Sequence, residues 1–271
     1  MAEVKTTAIA AFADELRSWR QHFGWSQAEL AGKIAYSPSL VSGVETLAKT
    51  PALDFAKRCD QAFGTPGTLT RLQELVVREA YPSWFAPVVG FEREAVRLHG
   101  WELGAVPGLL QTEDYARAVI RAGRPQDTAE AVDRTVAARM ERQEALNGDS
   151  TPMLWYVLGE GALRHQAGGA DVMAAQLDKL ITKAGEPGIV IQVLPFTATD
   201  HAGADGPISV YEFADAPTVA YTECYGGGRI VEAHDEVADL MTVVSVIRAS
   251  ALSPPESARL MREIRSEIGG N

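Results

Sequence analysis

The chain has little cysteine and no long hydrophobic run, and both absences narrow its class. Its two cysteines, Cys59 and Cys224, are far apart without CxxC spacing, so we predict neither a disulfide framework nor a structural zinc site. The longest apolar runs, residues 188–194 and 243–247, are far shorter than the roughly 20 residues that span a bilayer. The N-terminus lacks a charged-then-apolar signal pattern. We therefore expect a cytoplasmic protein without a membrane partner.

The patterns of common catalytic and metal sites are also missing. His165 lies near Glu160 but lacks the paired-histidine spacing of a zinc site. Ser209 and Ser245 have no GxSxG setting, and the three glycines at 226–228 do not open the helix that a phosphate-cradling loop requires. We predict that the protein is not an enzyme and uses no cofactor or metal.

Positive charge is scarce, and the deficit is unevenly placed. The net charge is −11 over 271 residues, a length that predicts two domains. Residues 1–80 carry nine Lys or Arg and nine Asp or Glu, so the whole deficit belongs to residues 81–271. An acidic surface repels phosphates and suits a basic or polar partner. We expect any contact with nucleic acid to lie in the first 80 residues.

Residues 26–45 have the pattern of two short helices joined by a tight turn. Ser26 followed by Glu29 is a capping box, so a helix begins at Gln27. Ser37 offers a second cap, with Pro38 at the first helical position. Apolar residues at helical spacing define the inward side of the pair. They are Leu30, Ala31, Ile34, Tyr36, Val41 and Val44.

The stretch resembles the helix-turn-helix of the xenobiotic-response-element (XRE, lambda-repressor-like) family. In that family the second helix lies in the major groove and its first residues read base edges. The resemblance implies a double-stranded DNA operator as partner, with Gln27 beside a phosphate. The groove-facing candidates are Pro38, Ser39, Ser42 and Gly43, and the further candidates for DNA contact are Ser37, Thr46 and Lys49.

Two positions depart from the family pattern. Ala35 occupies a turn position that often holds Gly, where a positive φ costs a non-Gly residue about 1 kcal/mol. Gly43 stands where many relatives carry Lys or Arg, so one expected contact is absent. Arg17 and Arg20, off the apolar face of a preceding helix, are candidate phosphate contacts, and simple solvated charges are the alternative.

The rest of the chain divides at its prolines. We predict five helices in residues 1–80, a proline-bearing linker at 81–90, and a second domain at 91–271. In that domain residues 91–99 are predicted as a helix or extended piece. Short β-rich runs follow a helix at 128–146, and the C-terminal end returns to helix. The predicted fold class is an all-α head followed by an α+β domain with a small mixed or antiparallel sheet. The predicted strands are residues 153–158, 189–194, 207–213, 218–224 and 229–231.

A second resemblance covers roughly residues 85–265. Landmarks such as VPGLLQT at 106–112, RMERQEAL at 139–146 and IQVLPF at 191–196 are similar to the uncharacterised domain that follows an XRE head in many actinomycete regulators. These are the WhiJ-like, toxin–antitoxin-like regulators. The resemblance implies a small partner protein encoded nearby.

Some side chains of the second domain are candidates for binding a partner or a small-molecule effector. Several lie on one side of the helix at 128–146, and others flank the LLQT segment. Internal ion pairs and helix packing are the alternative explanation, and we favour it. The candidates are Leu110, Tyr115, Arg139, Arg142, Gln143 and Arg164.

The sequence thus predicts a homodimeric DNA-binding transcriptional regulator. Its head would read an operator, and its second domain would dimerise and receive a signal. The alternative is an antitoxin-like protein that sequesters a small partner protein and autoregulates its operon.

Overall fold

The computed structural model describes residues 7–143, 146 and 151–269. The chain divides into two compact units, the head (residues 1–86) and the body (residues 87–271). The described part of the head is helical and that of the body contains one sheet with surrounding helices, so the predicted fold class is confirmed. The head helices are α1 (Ala8–His22), α2 (Gln27–Ile34), α3 (Pro38–Glu45), α4 (Leu53–Phe63) and α5 (Thr68–Ala80).

Local signals start and stop α2 and α3 as predicted. The Ser26 hydroxyl accepts from the Glu29 amide at 3.2 Å, and the Glu29 carboxylate accepts from the Ser26 amide at 2.7 Å. Ser37 caps α3 through the Leu40 amide at 3.2 Å. Ala35 has φ 57°, so the predicted positive φ in the turn is confirmed.

The core of the head is formed by one apolar side of each helix. Phe12 and Leu16 of α1 are fully buried, as are Leu30 of α2 and Phe55 of α4. The inward-facing residues of the helix pair lie in this cluster, as their spacing predicts. Burial of these side chains holds α3 against the other helices and leaves its opposite side free of the core.

The body is built on a six-stranded mixed sheet. β1 (Arg97–Glu102) pairs in parallel with β2 (Met153–Gly159) and antiparallel with β4 (Ile208–Glu212). The sheet order is β3-β2-β1-β4-β5-β6. The remaining strands are β3 (Ile189–Leu194), β5 (Val219–Cys224) and β6 (Gly227–Val231).

Helices surround this sheet. The hydrophobic side of α11 packs on one sheet face, where Val244 and Ile247 belong to the same buried cluster as Trp101 and Val210. The body helices are α6 (Ala86–Glu94), α7 (Glu113–Gly123), α8 (Ala129–Gln143), α9 (Glu160–Arg164), α10 (Ala170–Lys183), α11 (His234–Ser250) and α12 (Pro254–Gly269), with 3-10 turns at Gly108–Leu110 and Ala202–Asp205.

The structure gives detail to two segments that the sequence left open or assigned to a linker. The region 91–99, left open between helix and extended chain, divides into the end of α6 and the start of β1. Within the predicted linker at 81–90, α6 begins at Ala86 with Pro87 in its first turn, where the missing proline amide would have no helical partner. The end of the helix predicted at 128–146 falls partly outside the described residues.

The start of α5 depends on a side chain from α4. Gly67 precedes α5 in the left-handed conformation and supplies no side-chain cap. Asp60 of α4 supplies the cap instead, because its carboxylate accepts hydrogen bonds from the Leu69 and Thr70 amides, both at 2.9 Å. The Thr65 and Thr70 hydroxyls also donate to it. One buried carboxylate therefore joins α4 to α5.

Replacing Asp60 by alanine should lower the free energy of unfolding of the head by about 3 kcal/mol, because buried amides lose their acceptor. Burial alone would raise the pKa of Asp60, but the hydrogen bonds from threonines and amides hold it below its ordinary value. The stabilisation is therefore present at neutral pH and lost in acid as the carboxylate is protonated. Urea melts at several pH values measure this, with the exposed Asp14→Ala as control. Equal losses in the two variants would contradict the capping role.

Candidate nucleic-acid interface

The exposed face of α3 carries small polar side chains. Ser37, Pro38 and Ser39 are exposed at its N-terminus, and the Ser37 and Ser39 hydroxyls lie 2.9 Å apart. Ser42 is half-buried one turn later, and Thr46 is exposed at the C-terminal end. Side chains of this size let a helix approach base edges closely, and hydroxyls can donate or accept. The N-terminal half of α3 therefore has the shape and chemistry for a groove.

Gly43 does not belong to that face. The prediction that it points outward is wrong, because Gly43 is buried beneath the side chain of Lys49. A Cβ at this position would lie 2.9 Å from Lys49 Cγ. The Gly43 carbonyl also accepts from the Ala48 and Lys49 amides, at 2.8 and 3.0 Å. Gly43 thus closes the loop after α3, while Lys49 itself remains exposed at the edge of the face.

A carboxylate at the end of α3 connects the first three helices. Glu45 accepts from Arg20 Nε at 2.5 Å and Nη2 at 2.8 Å, and from Gln27 Nε2 at 2.8 Å. Arg17 Nη2 donates to the Glu45 carbonyl. The Glu45 side chain is only 3% exposed, so these bonds are largely shielded from water. We call these four residues the Glu45 network.

The network changes the interpretation of three predicted phosphate contacts. Arg20 and Gln27 direct their donors to Glu45, and the remaining Arg20 nitrogen donates to the Trp25 carbonyl at 2.8 Å. The Arg17 guanidinium donates to the Glu45 carbonyl of α3 and pairs with Asp14 at 3.5 Å. The Arg17 side chain remains 42% exposed. Of the three, Arg17 keeps the most surface for a phosphate. The physical reason is the buried carboxylate of Glu45, which the sequence analysis did not consider.

A cleft of about 550 Å³ between α2 and α4 is lined by further cations of the head, which the sequence did not single out. Lys33, Lys57 and Arg58 are on its wall, with Asp54 as the one acidic residue there. Arg58 pairs with Asp54 at 2.6 Å and Lys33 Nζ lies 4.5 Å from the Trp25 ring centre. Lys33 and Lys57 are 24 residues apart in the sequence, so no local pattern predicts that they lie on one cleft.

In the body, five of the six candidate partner residues lie close together, and their polar groups bind other residues of the body. Arg139 donates to Gln111 Oε1 at 2.9 Å, and Gln143 donates to the Gln111 carbonyl at the same distance. The Tyr115 hydroxyl accepts from the Val106 amide at 3.2 Å, and Leu110 is fully buried. These contacts match the internal packing that the sequence analysis favoured.

The two remaining arginines of that set also have internal partners. Arg142 forms a buried ion pair with Glu92 at 3.0 Å. Arg164 lies apart from the others and pairs with Glu160 at 2.6 Å and Glu267 at 2.7 Å. None of these arginines is thus presented as a free surface cation for an acidic partner.

The fold and the exposed face of α3 define a helix-turn-helix protein of the DNA-binding kind. Residues 11–73 match the family described as Helix-turn-helix domain, which supports DNA binding and a role in transcriptional regulation. Residues 85–263 match the family described as Domain of unknown function (DUF5753), and the chain belongs to that family. No curated protein and no solved structure matches the chain.

No single helix of the described residues is long and apolar enough to cross a bilayer, although α11 and α12, bent by 68° at their junction, are so as a pair by length and composition only. Within the same residues no group of three or more His, Cys, Asp or Glu is placed to hold a metal ion.

Replacing Glu45 by alanine should lower the free energy of unfolding of the head by about 3 kcal/mol, since Arg20 then loses the partner of a shielded charge. Burial alone would raise the pKa of Glu45, but hydrogen bonds from Arg20 and Gln27 bring it below its ordinary value. Its contribution is therefore lost as the pH falls into the acid range.

Thermal melts at pH 7 and pH 4 test this, with Asp54→Ala removing the partner of the exposed Arg58 pair as control. The control should change little, because exposed ion pairs contribute little to stability. A melting temperature of the Glu45 variant equal to that of the control at pH 7 would contradict the role assigned to the network.

Proposed function

We propose that this protein is a transcriptional regulator of the XRE type whose α3 enters the major groove of an operator. The observation that carries the proposal is the N-terminal half of α3, where Ser37, Pro38 and Ser39 are exposed beside a capped, buried helix pair. Ser42 and Thr46 extend the same face, and Lys49 and Arg17 flank it as phosphate contacts. Gln27 and Arg20 act indirectly, by fixing α3 through Glu45.

The weak positive charge of the head has a consequence for affinity. Neutralised phosphates supply most of the non-specific binding of a DNA-binding protein, and α3 itself carries no Lys or Arg. One head would therefore bind weakly, and two heads on one operator would double the contacts. This argument supports a homodimer that reads two half-sites about 34 Å apart.

The body is proposed as the receiver of a signal, and the WhiJ-like resemblance suggests a small partner protein as its source. Its excess of negative charge disfavours DNA and suits a basic or polar partner. The same observation supports the second candidate, an antitoxin-like protein that sequesters its partner. Operator binding that persists when the partner protein is bound would favour the regulator. Operator binding confined to the operon that encodes the partner protein would favour the antitoxin.

Replacing Ser42 by glutamate should weaken operator binding about a hundredfold or more, because a carboxylate would face the phosphates and base edges of the groove. The fold should survive, since Ser42 is not in the core. Fluorescence anisotropy with a genomic operator fragment measures the affinity. Ser18→Glu, on the exposed side of α1, introduces the same charge as a control. Unchanged affinity of the Ser42 variant would remove α3 from the interface.

The full-length protein should sediment as a dimer at micromolar concentration, with two heads bound to each operator. The apolar sides of α11 and α12 are mostly covered within one subunit, because Val244, Ile247 and Ile264 are buried there. These sides are therefore mostly unavailable as a dimer surface. Analytical ultracentrifugation with and without operator DNA tests the stoichiometry. A monomeric mass under both conditions would contradict the proposal.

A further inference from the structure

The cleft between α2 and α4 concentrates the positive charge of the head. Lys33 of α2 and Lys57 and Arg58 of α4 line it, and Asp54 is the one carboxylate among its lining residues. Three cations and one carboxylate give a charge of +2, whereas residues 1–80 as a whole are neutral. All four residues are exposed, so this excess charge faces solvent.

The two lysines of the cleft are not paired by the head itself. Arg58 Nε pairs with Asp54 at 2.6 Å, and the Tyr36 hydroxyl donates to the same carboxylate at 3.0 Å. Lys33 and Lys57 form neither an ion pair nor a hydrogen bond within the described residues. Asp54 is thus already neutralised by an arginine, and two ammonium groups on neighbouring helices are available to anionic groups.

An exposed group of aromatic rings adjoins the cleft. Phe23 is 42% exposed and stacks on Trp25, with ring centres 4.7 Å apart. Phe63, which is buried, stacks on both, at 5.8 and 5.5 Å. We call these three residues the aromatic cluster. Lys33 Nζ lies 4.5 Å from the Trp25 ring centre, so this lysine belongs to the edge of the cluster and to the cleft. Aromatic surface bordered by polar groups is a feature of protein interfaces.

The rings of the cluster favour a polypeptide as the ligand over a nucleic acid. A nucleobase binds by stacking on a free ring face. The ring of Trp25 already lies against two phenylalanine rings and a lysine ammonium group, and the ring of Phe23 lies against four other rings. Little ring face is therefore left for a base, whereas an aliphatic or aromatic side chain also packs against ring edges.

Hydrogen-bonding groups of the cleft favour a polypeptide for a second reason. Asp54 has carboxylate oxygens and Gln61 a side-chain carbonyl, and both residues are exposed in the lining of the cleft. These groups accept hydrogen bonds, and a peptide backbone supplies N–H donors for them. A phosphodiester backbone has acceptor oxygens only. A peptide with carboxylate side chains therefore satisfies the lysines and these acceptors together.

We propose that the cleft and the aromatic cluster together bind an acidic segment of another protein, in which a bulky apolar side chain lies next to two or more carboxylates. The carboxylates bind Lys33 and Lys57, and the apolar side chain packs on the exposed part of Phe23. Among the described residues that line the cleft, none belongs to α3, so the site is separate from the face proposed to read DNA. The inference goes beyond the proposed function, because it adds a protein-binding surface to the head.

The test uses the full-length protein and fluorescein-labelled peptides in fluorescence anisotropy. One peptide is acetyl-EDEFEDLEE-amide, and the other, acetyl-QNQFQNLQQ-amide, replaces each carboxylate by its amide. The acidic peptide should bind at least about tenfold more tightly than the neutral one, because only its carboxylates pair with the lysines. Its affinity should fall as the salt concentration rises from about 0.05 M to about 0.5 M, since exposed charges are screened.

Charge reversal at Lys57 separates the site from the overall charge of the head. Lys57→Glu should weaken binding of the acidic peptide about tenfold, because a carboxylate then faces those of the peptide. Arg78→Glu makes the same change of charge at an exposed position of α5 outside the cleft, and its affinity should stay within about twofold of the natural protein. Phe23→Ala should weaken binding about fivefold, since the apolar side chain of the peptide loses its contact.

Four results would overturn the proposal. The first two are no binding of the acidic peptide, or equal affinity for the acidic and neutral peptides. The third is equal affinity of Lys57→Glu and Arg78→Glu for the acidic peptide. The fourth is a loss of operator affinity, or a change of sedimenting mass, in Lys57→Glu but not in Arg78→Glu, which would assign the cleft to DNA or to a contact between copies.

The test is independent of the DNA-binding proposal, because no DNA is present in the peptide titrations. Ser42→Glu should bind the acidic peptide like the natural protein, so loss of operator binding in that variant leaves this inference intact. Failure of the peptide to bind likewise leaves the proposed role of α3 intact.

Discussion

The placement of α3 depends on one buried carboxylate. Glu45 is at the last turn of α3, and through Arg20 and Gln27 it joins that helix to α1 and α2. A charge shielded from water is tolerated only when its hydrogen bonds are satisfied, so the network allows few other arrangements of the three helices. The cost is that two donors which could have faced phosphates are used inside the head. The fixed position of α3 therefore comes from side chains that are no longer available to a phosphate.

The structure follows the sequence most closely where the signal is local. The caps of α2 and α3 involve residues three apart, and the inward side of the helix pair follows from helical spacing, so both could be predicted. The Arg20 to Glu45 pair joins positions 25 residues apart, and no sequence spacing predicts it. Gly43 was misassigned for the same reason, because the side chain that covers it comes from the loop beyond the helix.

β1 shows a different limit of sequence reasoning. Its centre contains His99 and Gly100, residues that weaken a strand assignment. Here the glycine is needed, because the Tyr156 ring lies over it, and His99 is held by Glu212 at 2.8 Å and Arg248 at 3.0 Å. The central strand of the sheet thus owes its composition to its neighbours. For the arginines of the body, internal ion pairs were favoured over a partner surface, and in the structure Arg142 pairs with Glu92.

The order of strands in the sheet has a consequence for how the chain folds. β1 is hydrogen-bonded to β4, more than 100 residues further along, and to β2 across a helical crossover. Loops of that length close slowly, and sheets of this connectivity fold later than local helical units. During synthesis the helices of the head, whose partners are all within 80 residues, can pack while β4 is still untranslated. A ribosome-bound intermediate would then carry a packed head before the strands of the body are complete.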